Sequence, residues 1–163
     1  MKEIGIFTIA SPLHDKTAVE KMTREFLDGL NLDFDFLGDD FSEYGCRAVS
    51  IIFVCTGGTE GVFVKLLPQL RAVSDAPVYL MASPKNNSLP ASMEILSYLR
   101  QEGLRGEIFH GEPQETNRRI RLLARVETTR RKLQGTRLGV IGQPSDWLIS
   151  SKADYDAARK RLG

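Results

Sequence analysis

Residues Ile4 to Ala10 form an almost wholly apolar run that stops at Ser11-Pro12-Leu13-His14-Asp15, the pattern of a buried strand followed by a loop. From Lys16 the apolar positions shift to Val19, Met22, Phe26, Leu27 and Leu30, one face of a helix whose end is weakened by Gly29. Asp33 to Leu37 alternates polar and apolar residues and reads as a second strand near a sheet edge. Ala48 to Cys55 is a continuous β-rich run and reads as a third, more buried one. After Thr56-Gly57-Gly58-Thr59-Glu60-Gly61, helical spacing returns at Val62, Phe63, Leu66, Leu67 and Leu70, with Pro68 predicted to kink or end the helix near Leu67. Pro77 to Ala82 is a fourth strand and Ser83 to Ser88 its loop. The next helix is expected to turn Leu89, Met93, Leu96 and Leu99 inward and to stop at Gly103. A short strand at Glu107 to Phe109, a long helix from Glu115 to Leu133, a strand at Leu138 to Ile141 and a helical stretch from Ala153 to Leu162 complete the reading.

Strands alternating with helices predict a parallel sheet, so the expected fold is an α/β, flavodoxin-like doubly wound sheet with helices on both faces. Residues 1–136 are read as that domain, and 137–163 as the start of a following domain or a C-terminal extension. In such sheets ligands bind beyond the carboxyl ends of the strands. The loops beginning at Ser11, Thr56, Ser83 and Gly142 all follow predicted strands and are expected to converge on one edge.

Composition narrows the class. With 42% hydrophobic and 26% charged residues the chain is globular, and its length is enough for a core without metal or disulfide support. No apolar run approaches the roughly 20 residues of a membrane span, and the start lacks the order of a signal peptide, so the expected location is the cytoplasm. Cys46 and Cys55 make no framework, and Cys55 is expected to be a buried free thiol. The net charge of +1 conceals a division: residues 1–60 carry 5 basic and 11 acidic residues, the remainder 17 and 10. The two parts attract each other.

The Thr56 to Gly61 loop would aim the N–H groups of a helix start above the sheet, which suits anions or hydroxyl-rich ligands, although it matches neither a dinucleotide nor a P-loop pattern. Alternatively its glycines only make a turn and Thr59 caps the helix. In Ser83 to Pro90, Asn86 and Asn87 beside Lys85 offer donors and acceptors to several hydroxyls, or one residue of the loop, Asn87 or Ser88, is simply an N-cap. His14 stands on a strand-end loop within reach of a ligand, whereas His110 reads as a turn residue. Neither has metal-ligand spacing, and Glu60 has no recognisable partner for acid–base work. The cations between Asn117 and Arg137 surround an apolar stripe with no aromatic residue interleaved, which favours a solvated or interfacial face over nucleic-acid binding. Trp147, beside Asp146, could stack on a sugar, pack on a partner or fill a core gap.

TGGTEG, PVYLMASPKNNSLPASMEILSYLR and RLGVIGQPSDWLISSKADYD, taken in order, resemble the N-terminal part of proteins related to L-fucose and L-arabinose isomerases, over about Val54 to Asp156. That resemblance implies a longer, oligomeric protein interconverting aldoses and ketoses at a divalent metal, usually manganese, whose Glu, Asp and His ligands lie in later domains. It implies that this part of the chain shapes a substrate entrance or an oligomer contact and carries no catalytic or metal-binding residue. Ser11, His14, Thr56, Gly57, Gly58, Thr59, Glu60, Asn86, Asn87, Asp146 and Trp147 are then the candidate sugar-facing residues. The expected partners are a monosaccharide, the remaining domains and further copies of the chain, not nucleic acid or membrane. The competing expectation is a self-contained sugar- or metabolite-binding regulatory module. A third is an interaction module whose arginine-rich helix docks on an acidic partner.

Overall fold

The structure is a computed structural model that describes residues 2–137, 139, 141, 142, 145, 147, 149, 150 and 154–162. The elements run β1 (Ile4–Ile9), α1 (Lys16–Asp28), β2 (Asp35–Gly38), a 3-10 turn (Phe41–Glu43), β3 (Val49–Val54) and α2 (Glu60–Val73). They continue with β4 (Val78–Ala82), α3 (Ser88–Gln101), β5 (Gly106–Phe109), α4 (Pro113–Gln134) and α5 (Tyr155–Leu162). All strand pairs are parallel and the sheet order is β2-β1-β3-β4-β5, the flavodoxin-like arrangement that the alternating pattern predicts. β2 is an edge strand, as its alternation indicates, and pairs with β1 only from Gly5 to Phe7.

Period-two burial divides each strand between two cores. Phe7, Ile9, Ile52, Val54 and Leu80 face α2 and α3, while Ile4, Ile6, Ile51, Phe53 and Met81 face α1 and α4. On the second face Phe26 of α1 stacks on Phe53 with ring centroids 4.8 Å apart, which seats α1 over the centre of the sheet. At the edge, Arg47 is buried and bonded to Asp35 at 3.1 Å and Glu43 at 2.5 Å. The Lys2 backbone N–H and the Arg47 guanidinium hold the Asp35 carboxyl below its ordinary value.

Two helices depart from expectation. α2 does not end near Leu67 but runs through Pro68 to Val73. Pro68 and Val64, whose carbonyl loses its donor, are both exposed and so open to water, while Leu67 and Leu70 are buried and hold the following turn to the core. In α3, Met93 is 58% exposed, and the inward stripe is Ser88, Ala91, Ser92, Ile95 and Leu99. The Ser92 hydroxyl donates to the Ser88 carbonyl, so the buried stripe accommodates a hydroxyl that the expected face of Leu89, Met93, Leu96 and Leu99 did not include. Gly103 ends α3 as expected: with φ +69° it lets Gly103 N–H reach the Arg100 carbonyl and Leu104 N–H the Leu99 carbonyl. The strand expected at Leu138 to Ile141 falls partly outside the described residues, and Gly139 and Ile141 are not in a strand.

Candidate functional site at the carboxyl ends of the strands

Three of the expected loops meet beyond β1, β3 and β4. Ser11 N–H donates to Thr56 Oγ1 at 2.9 Å, and Thr59 Oγ1 donates to the Thr56 carbonyl at 3.1 Å. Gly57 N–H donates to the Asn86 carbonyl at 2.7 Å, joining the β3 loop to the β4 loop. The join explains the glycines. A Cβ on Gly57 would lie 2.9 Å from that of Asn87, and Gly58, at φ +71°, faces Ser11 Oγ.

The β4 loop is built on a reverse turn. Asn86 and Asn87 both adopt left-handed backbone, φ 56° and 54°, and Ser88 N–H closes on the Lys85 carbonyl at 3.1 Å, the geometry of a type I′ turn, which favours Asn among residues with a side chain. Beneath it, Ser88 Oγ donates to the Val54 carbonyl and accepts from Ser83 N–H, so one buried hydroxyl ties β3 to the end of β4. Pattern reasoning reads Ser83 only as the start of this loop and Ser88 only as an N-cap candidate, and passes over the tie they make between the strands. Their signal is a serine at each end of a strand-to-helix loop.

The candidate residues therefore divide. Ser11, Thr56 and Thr59 are buried and shape the loops, Asn86, Asn87 and His14 are exposed, and Glu60 is half-buried at the first position of α2. Neither Thr59 nor Asn87 caps its helix through its side chain, contrary to the simple capping alternative, so that among the described residues the first N–H groups of α2 and α3 have no side-chain acceptor. Asp146 lies outside the described residues. Trp147 is 80% exposed and so fills no core gap, and no hydrogen bond among the described residues ties it to these loops. Gly142 belongs to no strand-end loop of this sheet.

Cys55 lies just below Thr56, and its thiol contacts Thr23 Oγ1 at 3.3 Å. Burial pushes the thiol up to about 11, so it stays protonated at neutral pH and is no nucleophile. Among the described residues no three His, Cys, Asp or Glu side chains stand together as metal ligands.

The basic helix serves a different purpose. Arg119 makes a bidentate pair with Glu107 at 2.8 and 2.9 Å, and Arg121 donates to the Asn31 carbonyl. Arg131 donates to the carbonyls of Gly45 at 3.0 Å, Cys46 at 3.3 Å and Arg47 at 2.6 Å. Arg121 and Arg131 thus fasten α4 to backbone carbonyls of the first sixty residues, and Arg119 fastens it to β5.

Fold and site together define a class: an α/β domain of flavodoxin-like topology that carries hydroxyl and amide loops at the carboxyl ends of its strands. No protein-family model, no curated protein and no solved structure matches this chain. Among the described residues no helix is long and apolar enough to cross a membrane.

Proposed function

We propose that this chain is the N-terminal, substrate-facing domain of a cytoplasmic sugar isomerase-like protein, presenting polar contacts to an aldose or ketose while other domains carry the metal and the proton transfer. The observation that carries this reading is the join between the two loops that the resemblance singles out: Gly57 N–H is bonded to the Asn86 carbonyl, and both asparagine side chains remain exposed beside it. A polyol needs several donors and acceptors at fixed spacing, and two amides held on a hydrogen-bonded turn supply them. Moving a proton between adjacent carbons needs in addition a base of tuned pKa and a cation for the enediolate oxygens. On this reading those groups come from elsewhere in the assembly, and residues 137–163 lead toward the next domain.

The test is a titration of the isotope-labelled chain with L-fucose and L-arabinose, following amide resonances. Saturable shifts confined to Gly57, Gly58, Asn86 and Asn87, lost in Asn86→Ala/Asn87→Ala, are expected, with no aldose–ketose conversion even with manganese added. Absence of shifts at this edge would refute sugar contact, and conversion by the chain alone would refute the division of labour. A self-contained binding module is the second reading, favoured by the two complete cores that close around one sheet within residues 4–124. It predicts tight, saturable binding of a phosphorylated metabolite at the same loops, where the uncapped starts of α2 and α3 lie.

A further inference from the structure

A groove of about 970 Å³ runs between α1 and the open face of the edge strand β2 and reaches Ser11 and His14 at the carboxyl end of β1. It exists because α1 is seated over the centre of the sheet by the Phe26–Phe53 stack and Leu27. Phe36, in register with Ile6 and so on the α1 face, is left 55% exposed, and Phe34 is only partly covered. Leu13, between the groove residues Pro12 and His14 in sequence, is 91% exposed.

One wall carries a charge pattern. Lys16, Glu20, Arg24 and Asp28 all line the groove, all are exposed, and they succeed one another at intervals of four residues with alternating sign. Within the helix this pattern is barely used: Lys16 and Glu20 approach only to 3.9 Å, and neither Arg24 nor Asp28 makes an ion pair among the described residues. A ridge of residues spaced by four packs against an identical ridge when two helices cross at about −50°. If the second helix is the same α1 turned about a two-fold axis between Glu20 and Arg24, then Lys16 meets Asp28, Glu20 meets Arg24, and the reverse pairs follow by symmetry. The order plus, minus, plus, minus is complementary to itself in this antiparallel sense, whereas parallel alignment sets like charge against like.

We propose that this face is the surface through which two copies of the chain pair, α1 against α1 in antiparallel sense, with the charged ridge giving register and Leu13, Phe34 and Phe36 supplying the apolar contact. Each α1 then lies in the groove between its partner's α1 and β2, which covers aromatic surface that the monomer leaves in water. The groove shares Ser11 and His14 with the candidate sugar-facing residues but is lined by neither Asn86 nor Asn87, and the charge exchanges below fall on α1 alone.

Charge exchange tests it on the full chain by sedimentation velocity over a range of concentration, with circular dichroism to verify folding. The wild type is expected to dimerise. Glu20→Arg sets Arg against Arg twice and Arg24→Glu sets Glu against Glu twice, and each is expected to weaken pairing on the order of 100-fold. The double variant restores both pairs and the dimer. Mixing the two single variants is expected to yield a mixed dimer, because each then meets its opposite charge. Should either variant fail to fold, Lys16→Glu and Asp28→Lys repeat the logic at the ends of the ridge. A wild type that stays monomeric, or a dimer indifferent to all these exchanges, overturns the proposal.

Discussion

The loops beyond β1, β3 and β4 and the outer face of α4 are both dense in polar residues, yet they use them in opposite ways. In the loops the buried hydroxyls of Thr56, Thr59 and Ser88 are consumed in holding the backbone, and the amides of Asn86 and Asn87 are left exposed. In α4 several of the long cationic side chains are consumed: Arg119, Arg121 and Arg131 end on a carboxylate or on backbone carbonyls of other elements. Density of polar residues alone therefore does not mark a site. What marks one is the set of donors and acceptors that remains after the fold has taken its share.

The contrast can be broken most severely at Ser88. Ser88→Ala leaves the Val54 carbonyl without its hydroxyl donor and the Ser83 N–H without its acceptor, at a buried position, and is expected to cost about 3 kcal/mol in urea unfolding. A loss well under 1 kcal/mol would show that the hydroxyl does not tie the two strands. On the helix, Arg131→Ala removes three carbonyl contacts at a largely exposed site and should cost about 1 kcal/mol. Arg118→Ala, at an exposed residue with no ion pair among the described residues, should stay within about 0.5 kcal/mol. Equal effects of the two arginine substitutions would dissolve the distinction between fastened and free cations. The smallest change is expected from Asn87→Gly, within about 0.5 kcal/mol by thermal unfolding, because relief of the left-handed backbone is offset by the greater freedom of glycine in the unfolded chain.

The strands were largely legible because apolar runs such as Ile4 to Ile9 and Val49 to Val54 need no partner to declare themselves. The helices were legible in place but less so in facing. The inward side of α3 contains Ser88 and Ser92, whose burial depends on carbonyls supplied by the β3 end and by the helix itself, and a hydropathy pattern cannot register that. Pro68 misleads for a related reason. Its cost depends on whether the released carbonyl faces water, which only the packed helix decides. At the site, the convergence of the Ser11, Thr56 and Ser83 loops followed from topology, but the turn that presents Asn86 and Asn87 did not. Nor did the fate of the arginines, since Arg131 and the carbonyls it reaches are more than eighty residues apart.

That long reach has a company of neighbours. Thr128 Oγ1 of α4 also donates to the Glu3 carboxylate at 2.8 Å, so the start of β1 and the last turns of α4 stand side by side. A polypeptide that enters this fold and leaves it does so through one door. Such a unit can be spliced between other parts of a polypeptide without forcing them apart, and its own order can be rearranged: with Glu3 and Gln134 bridged by a short linker and new ends opened at an exposed loop, the same sheet should assemble from a permuted chain.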